Sequence, residues 1–342
     1  MELLIDIVLL TLLVIVAFAI IKMKDLFAVV MLLGIYSLLS ASFFVAMDAV
    51  DVAFTEAAVG AGISTLLMLV VITITGRSEK TTRHKPLLAL LVVVFTGSML
   101  IYGTFDMPYF GIADAPIHSH VAPRYIQESM KEVGIPNIVT SVLASYRAFD
   151  TFGEVVVIFT AGIGVMALLS VGRRPEENEK TTAIDDSMHE QYLVIRIVTK
   201  MLIPFILLYA LYVQFHGDFG PGGGFQAGVI FAAAIILYTM LFGLTTARKV
   251  INQSFIQFIA AAGVLLYGCV GIVSMLNGAN FFDYNALASD PVAGQHLGIL
   301  LIEWGVGCTV ASVMIMIFFN FAERREMQQN NEKINNIEGD SL

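Results

Sequence analysis

Carboxylates stand at the mouths of long apolar runs in three places along this chain. A carboxylate so placed can hold a cation or pass a proton. In DVAFTEAAVGAG, Asp51 and Glu56 precede small and apolar residues. In YRAFDTFGEVVVIF, Arg147, Asp150 and Glu154 recur at intervals of three and four, so all could share one helix face. In QHLGILLIEWGVGCTV, Glu303 follows His296 by two helical turns on a similar face. An ionised side chain near the centre of a membrane helix costs about 2.5–3.5 kcal/mol on insertion scales, so such groups tend to mark ion or proton paths.

Each string also has a plainer reading. Glu56 suits the first turn of a helix, where the dipole favours negative charge. Arg147 and Asp150 suit a clamp at a membrane boundary, which leaves Glu154, one turn deeper and beside Gly153, as the carboxylate free to titrate. Trp304 places Glu303 near an interface, where a Glu costs little. A fourth string, FHGDFGPGGGFQAG, carries His216 and Asp218 as a candidate hydrated acid–base pair. Its Pro221, Gly222, Gly223, Gly224 and Phe225 predict a sharply bent backbone that another chain can approach closely, or simply a tight helical hairpin. No Lys-Ser or Lys-Thr pair follows, so this is not a phosphate-binding loop. His118 and His120 alternate in an extended HSH segment without further clustered ligands, and no metal site is expected. Cys269 and Cys308 lie in apolar runs and read as small buried hydrophobes.

The elements that position these groups follow from composition. Hydrophobic residues make up 57% of the chain and charged residues 14%, more apolar surface than a soluble domain of this length can hide. The net charge of −9 and the absence of a basic stripe exclude nucleic acid as a partner. Apolar runs predict an all-α integral membrane protein with about nine spans, at roughly 3–21, 26–47, 56–75, 86–105, 153–171, 197–215, 225–244, 254–276 and 297–320. The first is not a cleaved signal, because Glu2 and Asp6 stand where a signal carries Lys or Arg. Lys22, Lys24, Arg77, Lys80, Arg83, Lys85, Arg173, Arg174, Lys180, Arg196, Lys200, Arg248, Lys249, Arg324, Arg325 and Lys333 fall on alternate connections, and only Arg124, Lys131 and Arg147 on the opposite side. Cytoplasmic loops collect Lys and Arg, so the amino terminus is expected outside and the carboxyl terminus inside.

Charged connections divide the chain into three, two and four spans. Residues 1–80 form a three-helix unit, and 81–175 a two-helix unit with a long outer loop. A charged linker over 176–192 leads to a four-helix unit at 193–322 and a polar tail, 323–342, expected to be disordered. No sequence repeat links the three units.

DVAFTEAAVGAG resembles the D-type membrane module shared by membrane-bound hydrogenases and Mrp-type antiporters. HVAPRYIQES through PNIVTSVLASYRAFDTFGE resembles their E-type module. Together these two resemble the carboxyl-terminal part of the A-type Mrp protein. FHGDFGPGGGFQAG with HLGILLIEWGVGCTV resembles the B-type Mrp protein, whose counterpart in the hydrogenases is the F-type module. The resemblance covers nearly the whole chain. It implies membership of a multisubunit Na+/H+ antiporter in a prokaryotic cell membrane, packed beside K-like and large antiporter-like subunits and further small membrane subunits. It implies Glu56 and Glu154 as relay groups for H+ or Na+, and the glycine loop as structural. The B-type loop often reads HGH; here Asp218 stands in place of the second histidine. Two other readings compete. One is the membrane arm of a hydrogenase or related oxidoreductase, whose redox subunits would be other chains, since no CxxC clusters for iron–sulfur centres occur here. The other is a scaffold that only docks subunits. No cofactor is expected in this chain.

Overall fold

A computed structural model describes residues 2–79, 86–109, 111–170 and 193–339. The expected linker at 176–192 lies outside these residues. Among them the chain is helical without a β-strand, and nine helices are long and apolar enough to cross a membrane.

The first unit contains α1 (Glu2–Lys22), α2 (Leu26–Ala46) and a third span. That span begins as α3 (Val50–Glu56), widens into a π-helix over Ala57–Ser64 and ends as α4 (Thr65–Thr75). The π segment is the AAVGAGIS string, where small side chains let the backbone open by an extra residue per turn. Gly60 O then accepts from both Ser64 Oγ at 2.9 Å and Thr65 Oγ1 at 3.2 Å. Asp25 starts α2 by accepting from Phe27 N at 2.9 Å.

The second unit contains α5 (Pro86–Thr104), α6 (Pro116–Ser119), α7 (Val121–Glu132) and α8 (Ile138–Thr140), which runs into a second π segment over Ser141–Tyr146. The span α9 (Ala148–Ser170) follows. The third contains α10 (Leu193–His216), α11 (Gly224–Phe242), the short α12 (Leu244–Val250), α13 (Gln253–Leu276), a 3₁₀ turn at Tyr284–Leu287 and α14 (Pro291–Gly339).

Helix α14 is the axis of the molecule, packed against α13, α11, α9 and α4. Close approach depends on missing side chains: a methyl group at Gly263 would lie 2.5 Å from Gly305 O, and one at Gly228 2.7 Å from Gly307 O. In a bilayer, where burial of apolar surface does not drive helices together, such small-residue seams do. Phe152, Tyr267, Phe282 and Tyr284 form an aromatic cluster above the seam, and Tyr267 donates to Ala148 O at 2.9 Å. The second unit is thereby pinned to α13.

Helix α14 runs beyond the last apolar residues into the polar tail, to Gly339. The run AERREMQQNNEKINNIE contains no Gly or Pro and many strong helix formers, and Arg248 pairs with Glu323 at 2.8 Å at its start. One expectation is corrected: Cys269 is exposed on the surface of this chain rather than buried.

Candidate functional site: a cavity where three helical units meet

The bent loop between α10 and α11 is held by the second unit. Asn137 starts α8 by accepting from Val139 N at 3.0 Å. Its Nδ2 then donates to Gly217 O at 3.1 Å and Gly220 O at 3.0 Å, and its N–H to Asp218 O at 3.1 Å. Thr140 Oγ1 donates to Gly217 O at 2.6 Å. One PNIVT string therefore satisfies the loop carbonyls of Gly217, Asp218 and Gly220. Within the loop Gly223 N donates to Val213 O at 3.0 Å, and Gly223 takes φ +110° with an extended ψ, a conformation nearly confined to glycine.

That loop cradles Glu303. A methyl group at Gly217 or at Gly223 would lie 3.1 Å from Glu303 Oε1, so both positions leave room for the carboxylate and for little else. The closely approaching partner implied by the glycines is thus α14 of the same chain. Below the loop opens a cavity of about 630 Å³. Asp51 and Thr55 of α3, Thr140, Thr151 and Glu154 of the second unit, and Gly222 to Gln226 with Glu303 of the third line it. Gln226 Nε2 donates to Thr55 Oγ1 at 2.8 Å across the wall.

Of the residues picked out in the sequence, Asp51, Glu154, Glu303, Gly222, Gly223, Gly224 and Phe225 meet at this cavity. Glu56 does not line it. Its carboxylate folds over Gly60 toward Ser37 of α2: a methyl group at Gly60 would lie 2.5 Å from Glu56 Oε1 and 2.7 Å from Ser37 Oγ. Arg147 and Asp150 form an ion pair at 2.6 Å, about half exposed, and neither lines the cavity. Arg147 closes the π segment with φ −122°, and its carbonyl accepts from Asp150 N at 2.9 Å in the first turn of α9.

His216 stacks on Tyr212, ring centroids 4.9 Å apart, in a separate groove that Pro221 also lines. Asp218 instead feels the charge of His296, which opposes the upward push of burial on the Asp218 carboxyl. Asp218 also lies near enough to Glu303 for their charges to interact. His118 and His120 belong to the ends of α6 and α7, and no group of three metal-ligating side chains occurs among the described residues. Sequence reasoning missed Asn137, Thr140, Thr55 and Gln226. Their signal was only the polar residue itself inside an otherwise apolar or small-residue string.

Comparison with known proteins places this geometry. A family model described as a domain related to the MnhB subunit of Na+/H+ antiporters matches residues 194–316. Models for the D and E subunits of MBH match residues 11–77 and 87–185. A putative antiporter subunit mnhB2 of Staphylococcus aureus (strain Newman) is 30% identical over 141 residues, 40% of this chain and 99% of that protein. The chain belongs to the Mrp-type antiporter and membrane-bound hydrogenase subunit family.

Two larger relatives match most of this chain. A probable K+/H+ antiporter A/B subunit of Rhizobium meliloti (strain 1021) is 25% identical over 325 residues, 87% of this chain and 32% of the relative. A chain in the structure of the Mrp complex from Dietzia sp. DQ12-45-1b superposes with a TM-score of 0.73 at 25% identity, covering 92% of this chain and 34% of that one. The chain thus spans about a third of the length of these two relatives.

Proposed function

We propose that the chain is a membrane subunit of a multisubunit cation/proton antiporter, and that its three-unit cavity is part of the ion path. One observation carries the reading: carboxylates from three separate stretches, Asp51, Glu154 and Glu303, line a single cavity. Clustered carboxylates at membrane depth are costly unless they exchange protons or hold a cation. Glu154 and Glu303 act as the titrating groups, with Asp51 at the positive end of α3 on the same wall. Glu56, outside the cavity, serves α2 or a partner subunit. Relatives carry both Na+/H+ and K+/H+ names, so the cargo is a monovalent alkali cation. The amino terminus lies outside, as the Lys and Arg distribution implies.

The partners are a large antiporter-like subunit and small membrane subunits, including a K-like one. Helix α5 is exposed along nearly its whole length and α1 over most of its own, surfaces that lipid or such partners cover. The hydrogenase reading rests on the MBH likeness of residues 11–77 and 87–185, whereas the two larger relatives that match most of this chain favour the antiporter. With two cysteines in the chain, a four-cysteine iron–sulfur site would have to lie in another subunit. Purification through a tag on this chain should bring down the partner subunits, and that complex in vesicles should exchange Na+ or K+ for H+, whereas the chain alone should not. Exchange by the single chain, or hydrogenase-like subunits in place of antiporter subunits, would overturn the reading.

A further inference from the structure

We infer that Gln226 is a positioning residue that ties the four-helix unit to the first unit through Thr55 and thereby sets the spacing of the carboxylates across the cavity. The inference rests on the reading of that cavity as part of an ion path.

Gln226 is the third residue of α11 and only 7% exposed. Its Nε2 donates to Thr55 Oγ1 at 2.8 Å, and Thr55 Oγ1 donates to Asp51 O at 3.0 Å. The threonine hydroxyl proton is committed to its own helix, so its oxygen faces α11 as an acceptor. On the other side, a methyl group at Gly223 would lie 3.8 Å from Gln226 Oε1 and 3.1 Å from Glu303 Oε1. One amide side chain therefore reaches both the turn that carries Asp51 and the glycine that abuts Glu303. An amide holds no titratable proton near neutral pH, so it cannot serve as the relay group itself. It can fix a distance. Buried between two units, with its amide nitrogen bonded to Thr55 Oγ1, it resists any slide of α3 along α11 that would change the gap between Asp51 and Glu303.

The test is a double-mutant cycle in the assembled complex, with Na+ and K+ each assayed in inverted vesicles. Gln226→Leu and Thr55→Val should each raise the apparent KM for the cation about threefold, the scale of one interhelical hydrogen bond in a membrane, with maximal rate changed less. The double variant should be no worse than the worse single, because both remove the same bond. Thr55→Ser, which keeps the hydroxyl, should restore the wild-type KM. The same cycle read by thermal unfolding of the full chain in detergent should also be non-additive. Multiplying KM effects in the double variant, or an unchanged KM in assembled Thr55→Val, would overturn the positioning role. A non-additive melting cycle with an unchanged KM would likewise overturn it, leaving a bond that only holds the fold together. Normal transport by both Glu154→Gln and Glu303→Gln would instead refute the ion-path reading, while the melting cycle would still judge the Gln226–Thr55 coupling.

Discussion

A carboxylate in a membrane protein is governed by what can approach it, and Glu303 shows the point at the level of single atoms. Glycine at 217 and 223 leaves its Oε1 beside backbone rather than beside a side chain. Asp218, above it in the loop, is half-buried, and burial raises its carboxyl from the usual range despite the nearby His296. A carboxyl whose pKa rises on folding is ionised more readily in the unfolded chain. Its contribution to stability therefore falls as pH climbs from the unfolded pKa, about 3.9, through the folded value. Asp218→Asn removes that dependence. The variant should melt at or above the wild-type temperature at pH 7, with its advantage shrinking as pH falls toward 4, in detergent melts across pH. A variant clearly less stable at pH 7 would show that the charged form is favoured in the fold. His216, two residues away in sequence, stacks on Tyr212 and lines another groove, a placement that the spacing of the two residues did not reveal.

At the scale of elements, hydropathy located all nine spans, because burial of apolar side chains in lipid needs only length and composition. It misplaced the starts. The third span opens at Val50 and the fifth at Ala148, each several residues before the apolar run, because polar first turns carrying Asp51 and Asp150 remain helical. Those first turns hold site residues, so the boundary error fell on the site. The small residues Ala57 to Gly62 signal a local widening, which is where the first π segment falls, whereas the second, over SVLASY, had no such signal. Nor was the reach of PNIVT to the glycine loop legible, a contact between residues far apart in sequence. That contact predicts an outcome. Asn137→Ala removes a helix cap and both Nδ2 bonds, leaving Gly220 O without that donor, and should destabilise the chain by about 1–3 kcal/mol. Asn252→Ala, which removes only the cap bond to Ser254 N at 3.0 Å, should cost about 1 kcal/mol. Equal losses in thermal or denaturant unfolding would contradict the loop-clamping role.

The whole molecule is a join of three units around α14, and the cavity exists only because they meet. The D-like unit supplies Asp51 and Thr55, the E-like unit Glu154 and Thr140, and the MnhB-like unit Gln226, Glu303 and the glycine loop. Fusion into one chain holds those contributions in fixed proportion, and bonds such as Gln226 to Thr55 hold them in fixed register. The most direct test of the ion-path claim measures antiport in inverted vesicles containing complexes that carry Glu154→Gln or Glu303→Gln, with blots for the partner subunits. Each substitution keeps side-chain volume and hydrogen bonding but removes the titrating group. Both variants should assemble at wild-type levels and lose antiport by at least about tenfold, and Glu154→Asp should retain part of it, because the carboxyl survives. Wild-type exchange rates in assembled Glu154→Gln and Glu303→Gln complexes would contradict the account.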